Sequence, residues 1–187
     1  MISETHGRLR AATRAVHDHL ESCVDLLGAC STPEGRRALV IRFHRLHAEA
    51  EAAIAPWLSD LEGLEFEARR RTARLAHDLA VVGGRPEAPD PVTVGSVEEA
   101  LGRMYVLEGS TLVGQVIRRE LARRGDGMEG LSFLDPYGAR VGERWRTFMA
   151  LLDGAIRTEA AQAAVVAGAL AGFGHAERRL CRATAVV

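Results

Sequence analysis

The stretch LRAATRAVHDHLES, Leu9 to Ser22, is the clearest guide to the fold class of this chain. Its apolar positions recur at steps of three and four residues, which is the period of an amphipathic α-helix. The members of this apolar stripe are Leu9, Thr13, Val16, Leu20 and Val24. We therefore expect a helix from about Glu4 to Cys23 that buries one face.

His17 lies at the edge of that stripe, and Arg10, Arg14 and Glu21 share its flank. Glu21 follows one turn later, so its carboxylate can accept a hydrogen bond from Nδ1–H and leave Nε2 directed outward. Metal-ligating histidines are commonly oriented in this way. Two guanidinium groups on the same flank suit a ligand that has a metal centre and carboxylate arms. A half-buried structural histidine with surface Arg–Glu pairing explains the same residues, and this stretch alone leaves both interpretations open.

Helical patterns continue along the rest of the chain, and no alternating segment typical of a strand appears. Residues 83–95 hold three prolines without helical period, so we expect a surface loop there. The sequence predicts a single all-α domain over residues 1–187 with about six or seven helices. The later predicted helices run from the Thr32 cap to about Trp57, from about Glu65 to Val81, from a Ser96–Glu99 capping box to Gly125, from about Ala139 to Ile156, and onward from Thr158.

A second unusual stretch is YVLEGSTLVGQVIRREL, Tyr105 to Leu121, where Gly109 and Gly114 interrupt a helical pattern. Each interior glycine costs about 1 kcal/mol relative to alanine, and a Gly/Ser pair can kink a helix. Glycine permits the backbone to approach a flat ligand closely, because it has no Cβ. Close packing of two helices explains the glycines equally well, so this stretch also leaves two interpretations open.

Composition excludes several classes of protein. Of the 187 residues, 47% are hydrophobic and 26% charged, which is typical of a globular chain. The net charge of −1 gives no field that favours nucleic acid. All 24 basic residues are arginine, so any anion site must use guanidinium groups. No signal peptide or apolar run of about 20 residues is present, and we predict a cytoplasmic protein without a membrane anchor.

Three cysteines, Cys23, Cys30 and Cys181, are an odd number without metal-binding spacing, and we expect reduced thiols. His44 and His47 lie three residues apart without a third ligand, which favours surface or boundary positions. Arg69, Arg70 and Arg71 are expected to form a solvated face, or a docking surface for an acidic electron donor.

The two stretches together resemble the heme oxygenase family, most closely its bacterial branch that supplies bilin to phytochromes. LRAATRAVHDHLE is similar to the family pattern Leu-x-x-Ala-Thr-x-x-x-His, which provides the proximal histidine. YVLEGSTLVGQVI resembles the distal helix, which kinks over the heme. The resemblance spans nearly the whole chain and implies a heme oxygenase-like multi-helix bundle with a kinked distal helix.

Residue by residue, the resemblance implies that His17 is the axial ligand of the heme iron. Glu21 matches the carboxylate that hydrogen-bonds the other ring nitrogen of this histidine. Arg10 and Arg14 match basic residues that meet the heme propionates. Arg146 matches a further propionate contact.

On the distal side, Gly109, Ser110 and Gly114 match the glycine-rich catalytic segment, and Phe173 matches a residue that lines the heme pocket. Ser110 stands where many family members carry an aspartate that orders water, although the phytochrome-linked branch tends to lack it. Val113 stands where a second glycine is usual. Its β-branched side chain is expected either to narrow the oxygen site or to turn away from it.

The implied reaction is oxidative cleavage of heme to biliverdin, carbon monoxide and ferrous iron. Heme is substrate and cofactor, O2 is the oxidant, and a ferredoxin or flavin reductase supplies electrons. A bacteriophytochrome is the expected bilin acceptor. Two alternatives remain: a non-catalytic heme carrier, which Val113 favours, and a helical protein without heme, such as a thiamine-degradation-like hydrolase or an interaction domain.

Overall fold

The computed structural model describes residues 4–181, and helices account for most of them. No strand occurs in this range, which confirms the all-α prediction. Two short 3₁₀ turns, Ser132–Leu134 and Gly138–Arg140, precede the seventh helix. The α-helices are α1 Glu4–Cys23, α2 Leu26–Cys30, α3 Pro33–Leu58, α4 Phe66–Arg69, α5 Thr72–Val81, α6 Val97–Arg124, α7 Val141–Ala155 and α8 Glu159–Leu180.

Capping residues fix several helix starts as the sequence predicts. The hydroxyls of Thr32, Ser96 and Thr158 accept hydrogen bonds from backbone amides in the first turns of α3, α6 and α8. Residues 84–95 form the predicted loop. The distal segment lies in α6, which continues without a break from Val97 to Arg124, so its kink stays a prediction.

The predicted third helix is wrong as one element, because the chain divides it into α4 and α5. A carboxylate on α3 explains the interruption. Glu51 accepts hydrogen bonds from the backbone amides of Arg71 and Thr72, at 2.7 and 3.2 Å, and from the Thr72 hydroxyl at 2.6 Å. These bonds cap the first turn of α5 from outside the segment, so local sequence could not indicate them.

A short helix, α2, replaces part of the predicted break after α1, so the described residues hold eight α-helices instead of six or seven. The Asp25 carboxylate caps α2 by accepting from the Gly28 amide at 2.8 Å. The predicted fifth helix begins at Val141 and not at Ala139, because a 3₁₀ turn occupies residues 138–140.

The core is organised by the crossing of α6 and α8, where backbones meet with no room for side chains. A Cβ on Gly102 would lie 2.1 Å from the Val165 carbonyl oxygen. A Cβ on Gly168 would lie 2.2 Å from the Glu99 carbonyl oxygen. These two glycines therefore set the separation of the helices that carry much of the site.

The expectation of reduced thiols is wrong for two of the three cysteines. Cys23 and Cys181 form a disulfide with Cα atoms 5.4 Å apart, within the range that disulfides require. Cys30 is a buried free thiol. The sequence could not indicate the pair, because 158 residues separate its members and only the packing of α8 alongside α1, with their C-terminal ends adjacent, brings them together.

None of the helices in residues 4–181 is both long enough and apolar enough to cross a membrane.

Candidate functional site

A cavity of about 820 Å³ lies against α1, with α3, α6 and α8 contributing most of the remaining wall. This volume is in the range of small-molecule and cofactor sites. Most residues that the sequence analysis assigned to a site line this one cavity. They are Arg10, Arg14, His17, Glu21, Gly109, Ser110, Val113, Gly114 and Phe173.

The apolar stripe of α1 is divided between the core and the cavity. Leu9 and Thr13 are buried by protein, whereas Val16, Leu20 and Val24 are only half-buried. Leu20 and Val24 line the cavity. An apolar stripe that the protein itself leaves partly uncovered indicates that a ligand completes the packing.

His17 presents its imidazole to the cavity with 44% of the side chain exposed. The ring of Phe173, on α8, lies edge-on at 5.7 Å between centroids. The predicted hydrogen bond between Glu21 and Nδ1 is absent. Glu21 is nearest to Nε2, at 3.8 Å, and Asp18 is nearest to Nδ1, also at 3.8 Å. Both distances exceed hydrogen-bonding range, because the carboxylates extend into solvent.

The same three side chains are the candidate metal ligands of the site. Within residues 4–181, His17, Asp18 and Glu21 are the only group of three whose ligand atoms lie within 4.8 Å of one another. The imidazole is the one nitrogen donor of this group, and it adjoins an apolar slot. An iron centre carried in a large apolar ligand fits this group better than a bare ion does, because the two carboxylates extend into solvent and do not approach the imidazole within hydrogen-bonding range.

Arginine side chains line the cavity next to His17. Arg10 forms no ion pair with any carboxylate in the described part of the chain, and Arg14 approaches Asp18 only to 3.8 Å. By contrast, Arg8 on the same helix pairs with Glu4 and Glu159 at 2.8 and 2.9 Å. Arg10 and Arg14 are therefore available to an anionic ligand.

Arg146 is the predicted site residue that the structure does not bring to the cavity. It lies exposed on α7, and the preceding residue, Trp145, lines the cavity instead. Successive helical residues point about 100° apart, so one residue decides which side chain reaches the site.

The two glycines of α6 have different surroundings. A Cβ on Gly114 would lie 1.7 Å from the Leu134 carbonyl oxygen, so packing against a 3₁₀ turn requires glycine there. A Cβ on Gly109 would make an ordinary 3.9 Å contact with the Trp145 ring. Close packing thus explains Gly114, whereas no protein contact demands glycine at position 109.

A buried cation that the sequence did not indicate lies against α6 at the cavity wall. Arg71 is 3% exposed and lines the cavity. Its Nη1 donates to the Ser110 hydroxyl at 3.1 Å, and Nη2 donates to the Leu107 carbonyl. Its Nε has no hydrogen-bond partner in the described residues. Ser110 donates its own proton to the Leu107 carbonyl at 2.7 Å, so its oxygen is left as an acceptor.

A second buried polar group belongs to α3. Nδ1 of His47 lies 2.9 Å from Glu51. Burial and the nearby Arg71 charge lower the pKa of His47 to about 4, so the ring is neutral at pH 7. Burial alone would raise the pKa of Glu51, but hydrogen bonds from His47 and Thr72 lower it to about 2. An ionised Glu51 only accepts, so Nδ1 carries the proton and Nε2 of His47 is an acceptor.

These positions correct two expectations. His44 and His47 are buried and not at the surface, and Arg69 and Arg71 are buried while only Arg70 is partly exposed. Arg69 is neutralised by Glu108 at 2.5 Å. The sequence did indicate that His47 is buried, because His47 lies at helical spacing on the same face of α3 as Phe43, Ala50 and Ile54. Nothing in the sequence indicated that Arg71 is buried, because it ends a run of three arginines, which is typical of a solvated surface.

Comparison with known proteins places these features in a family. A heme oxygenase of Xanthomonas campestris pv. campestris is 38% identical over 140 residues, covering 72% of this chain and 81% of that protein. A crystal structure of the NO- and CO-bound heme oxygenase from Neisseria meningitidis superposes with a TM-score of 0.79. The superposition covers 96% of this chain and 94% of the Neisseria chain at 23% sequence identity, which shows that the two share a fold. No family model matches the sequence. The identity to the Xanthomonas protein establishes that this chain belongs to the heme oxygenase family.

Proposed function

We propose that this enzyme cleaves heme to biliverdin, carbon monoxide and ferrous iron, with O2 and electrons from an external donor. The observation that carries the proposal is the position of His17, whose imidazole faces a large, mostly apolar cavity that the glycine-bearing segment of α6 also lines. Bound heme supplies the iron that activates O2 and the porphyrin carbon that is oxidised. The chain's own residues hold the heme, exclude bulk water and position hydrogen-bonding groups.

His17 is the proposed axial ligand. Both ring nitrogens lack a hydrogen-bond partner in the described residues, so either can coordinate after a rotation of the ring. Coordination through Nε2 would turn Nδ1–H toward a carboxylate of Glu21 or Asp18. Such a bond fixes the ring and increases the basicity of the ligand. Heme cleavage requires a neutral imidazole as the iron ligand, since a cysteine thiolate in its place favours cleavage of the O–O bond before the porphyrin is attacked.

Arg10 and Arg14 are proposed to bind the two propionates, since Arg10 has no partner carboxylate in the described residues and Arg14 only a distant one. Phe173 supports the macrocycle from α8, and Gly109 allows α6 to approach it. Val113 is half-buried at the cavity wall, where its side chain limits the space for oxygen. In this proposal Gly114 acts on the site through packing of the helix.

On the side of the cavity lined by α6, three groups are proposed to hold a water molecule. Arg71 Nε is a donor without a partner in the described residues, while the Ser110 oxygen and His47 Nε2 are acceptors. Together they offer both kinds of hydrogen bond that an ordered water needs. This set takes the place of the aspartate that many family members carry at the Ser110 position.

The remaining assignments are also proposals. Membership of the phytochrome-associated branch rests on the resemblance of the two sequence stretches, and it implies a bacteriophytochrome as bilin acceptor. A ferredoxin or flavin reductase is the proposed donor, and the cytoplasm is the proposed compartment. Arg69 and Arg71 cannot dock that donor, because both are buried.

The decisive experiment adds heme to the purified protein, followed by a ferredoxin–reductase system and air. We expect a Soret band to form on addition of heme. With electrons and oxygen, that band should bleach while a broad red bilin absorption grows. A stable Soret band through many reduction cycles would identify a heme carrier, and no Soret shift at all would exclude heme binding.

Removal of the propionate contacts should alter which porphyrin carbon is attacked. Each charge-assisted contact contributes about 1.5–3 kcal/mol, so the R10A/R14A double variant should bind heme more weakly and yield a mixture of biliverdin isomers. Chromatographic separation of the bilin product measures this. R8A is the matched control, because Arg8 is on the same helix but pairs with Glu4 and Glu159 away from the cavity. An unchanged isomer ratio in the double variant would refute the assignment.

A further inference from the structure

We infer that the Cys23–Cys181 disulfide is a redox-controlled latch on the heme site. The segment Arg14–Cys23 of α1 is here named the cover, because it lies along the cavity. The oxidised pair holds the cover in place. When the disulfide is reduced, the cover moves and the ligand exchanges faster. The identity of that ligand as heme rests on the proposed function.

The two halves of α1 are anchored very differently. Its buried residues, Thr5, Leu9 and Thr13, all belong to the first half. Every residue of the cover is exposed or half-buried. The first half is therefore held by fully buried residues, whereas the cover contacts the core only through the half-buried Val16 and Leu20 and otherwise faces the cavity or solvent. Segments with few buried contacts open at low free-energy cost. The cover residues that line the cavity are Arg14, His17, Asp18, Leu20 and Glu21.

The disulfide ties the far end of the cover covalently to the end of α8. It joins the last residue of α1 to the residue that follows α8. The other contacts to α8 are weak: His19 meets Glu177 at 3.1 Å with both side chains about half exposed, and His17 touches the Phe173 ring. Exposed pairs of this kind contribute little to stability. Reduction removes the covalent tie and leaves the cover held by these weak contacts and by the half-buried Val16 and Leu20, which pack against the core.

The redox step needs a dithiol reductant and a peroxide oxidant. One thiolate of the reductant attacks one sulfur of the Cys23–Cys181 pair, forms a mixed disulfide and releases the other cysteine as a thiolate. The second thiolate of the reductant then attacks the mixed disulfide and releases the first cysteine. Cys23 and Cys181 then each carry a proton, and the reductant leaves as a disulfide. Hydrogen peroxide closes the latch by accepting two electrons and yielding two water molecules. Cys30 takes no part, because burial raises its thiol pKa to about 11.

The test compares peroxide-oxidised and dithiothreitol-reduced protein, with reductant removed under argon before heme is added. The first readout is the rate at which ferric heme transfers to apomyoglobin. The second is amide hydrogen exchange in residues 14–23, compared with exchange in α3. Thiol titration in denaturant verifies the redox state of the Cys23–Cys181 pair. One free thiol is expected in the oxidised protein and three in the reduced protein. The C23S/C181S variant mimics the open state, and C30S is the matched control that keeps the pair.

We expect reduction and C23S/C181S each to speed heme transfer by about tenfold and to raise exchange in the cover, with α3 unchanged. C30S should respond to redox state as the wild type does. Equal transfer rates in both states, or an equal rise of exchange throughout the protein, would overturn the latch, as would three free thiols after peroxide treatment. If no form binds heme, the proposed function fails, while exchange in the cover still decides whether the latch exists.

Discussion

Replacement of His17 by alanine should abolish heme cleavage and change the heme spectrum. The variant retains the apolar cavity and both arginines, so it can still take up heme, but it offers no imidazole to the iron. We expect turnover to fall by more than about 100-fold, because even loss of an outer-shell partner typically costs about 10–100-fold. Absorption spectroscopy and bilin yield measure the two effects.

Three comparisons make the result specific to axial ligation. Added imidazole should restore the ligated spectrum of H17A, because the deletion leaves space at the iron. H19A should behave as wild type, since His19 is two residues away and pairs with Glu177 at the surface. E21Q should lower turnover by a smaller factor than H17A, if Glu21 turns to the coordinated ring. A wild-type spectrum in H17A would disprove ligation by this histidine.

Replacement of Gly168 by alanine should destabilise the protein strongly. The new Cβ would lie 2.2 Å from the Glu99 carbonyl oxygen and 2.8 Å from its Cα, so α6 and α8 must separate. Backbone atoms cannot yield as a flexible side chain can, and we expect a loss of about 3 kcal/mol. That corresponds to a melting temperature lower by about 10 °C for a chain of this size. Thermal unfolding followed by circular dichroism checks the value.

Helix propensity alone predicts the opposite sign for the same substitution, since alanine is favoured over glycine by about 1 kcal/mol in a helix. Gly154 provides the control, because it lies in α7 and a Cβ added there would meet no atom within 4 Å. G154A should therefore stabilise by about 0.5–1 kcal/mol. If G168A were also stabilising, the close crossing of α6 and α8 would be wrong.

Local chemistry explains why so much of the helix layout follows from sequence. Period and capping residues act within one or two turns, so the span of α1 and the starts of α3, α6 and α8 were predictable. The interruption before α5 was not, because its cause is Glu51 on a different helix. The same reason applies to Arg71: a run of three arginines is typical of a solvated surface, and only the tertiary structure places one member beneath α6.

The residues of the site likewise divide into those that the sequence predicted and those that only the tertiary structure placed there. The sequence by itself determined the helical class, the flank of His17 with Arg10 and Arg14, and the unusual glycines of α6, because helical spacing fixes which residues share a face. Tertiary structure alone decided that these faces meet around one cavity, that Arg146 is excluded, and that Arg71 and His47 are included. It also paired Cys23 with Cys181. Such contacts join residues far apart in sequence, and packing of the whole chain, not local propensity, selects them.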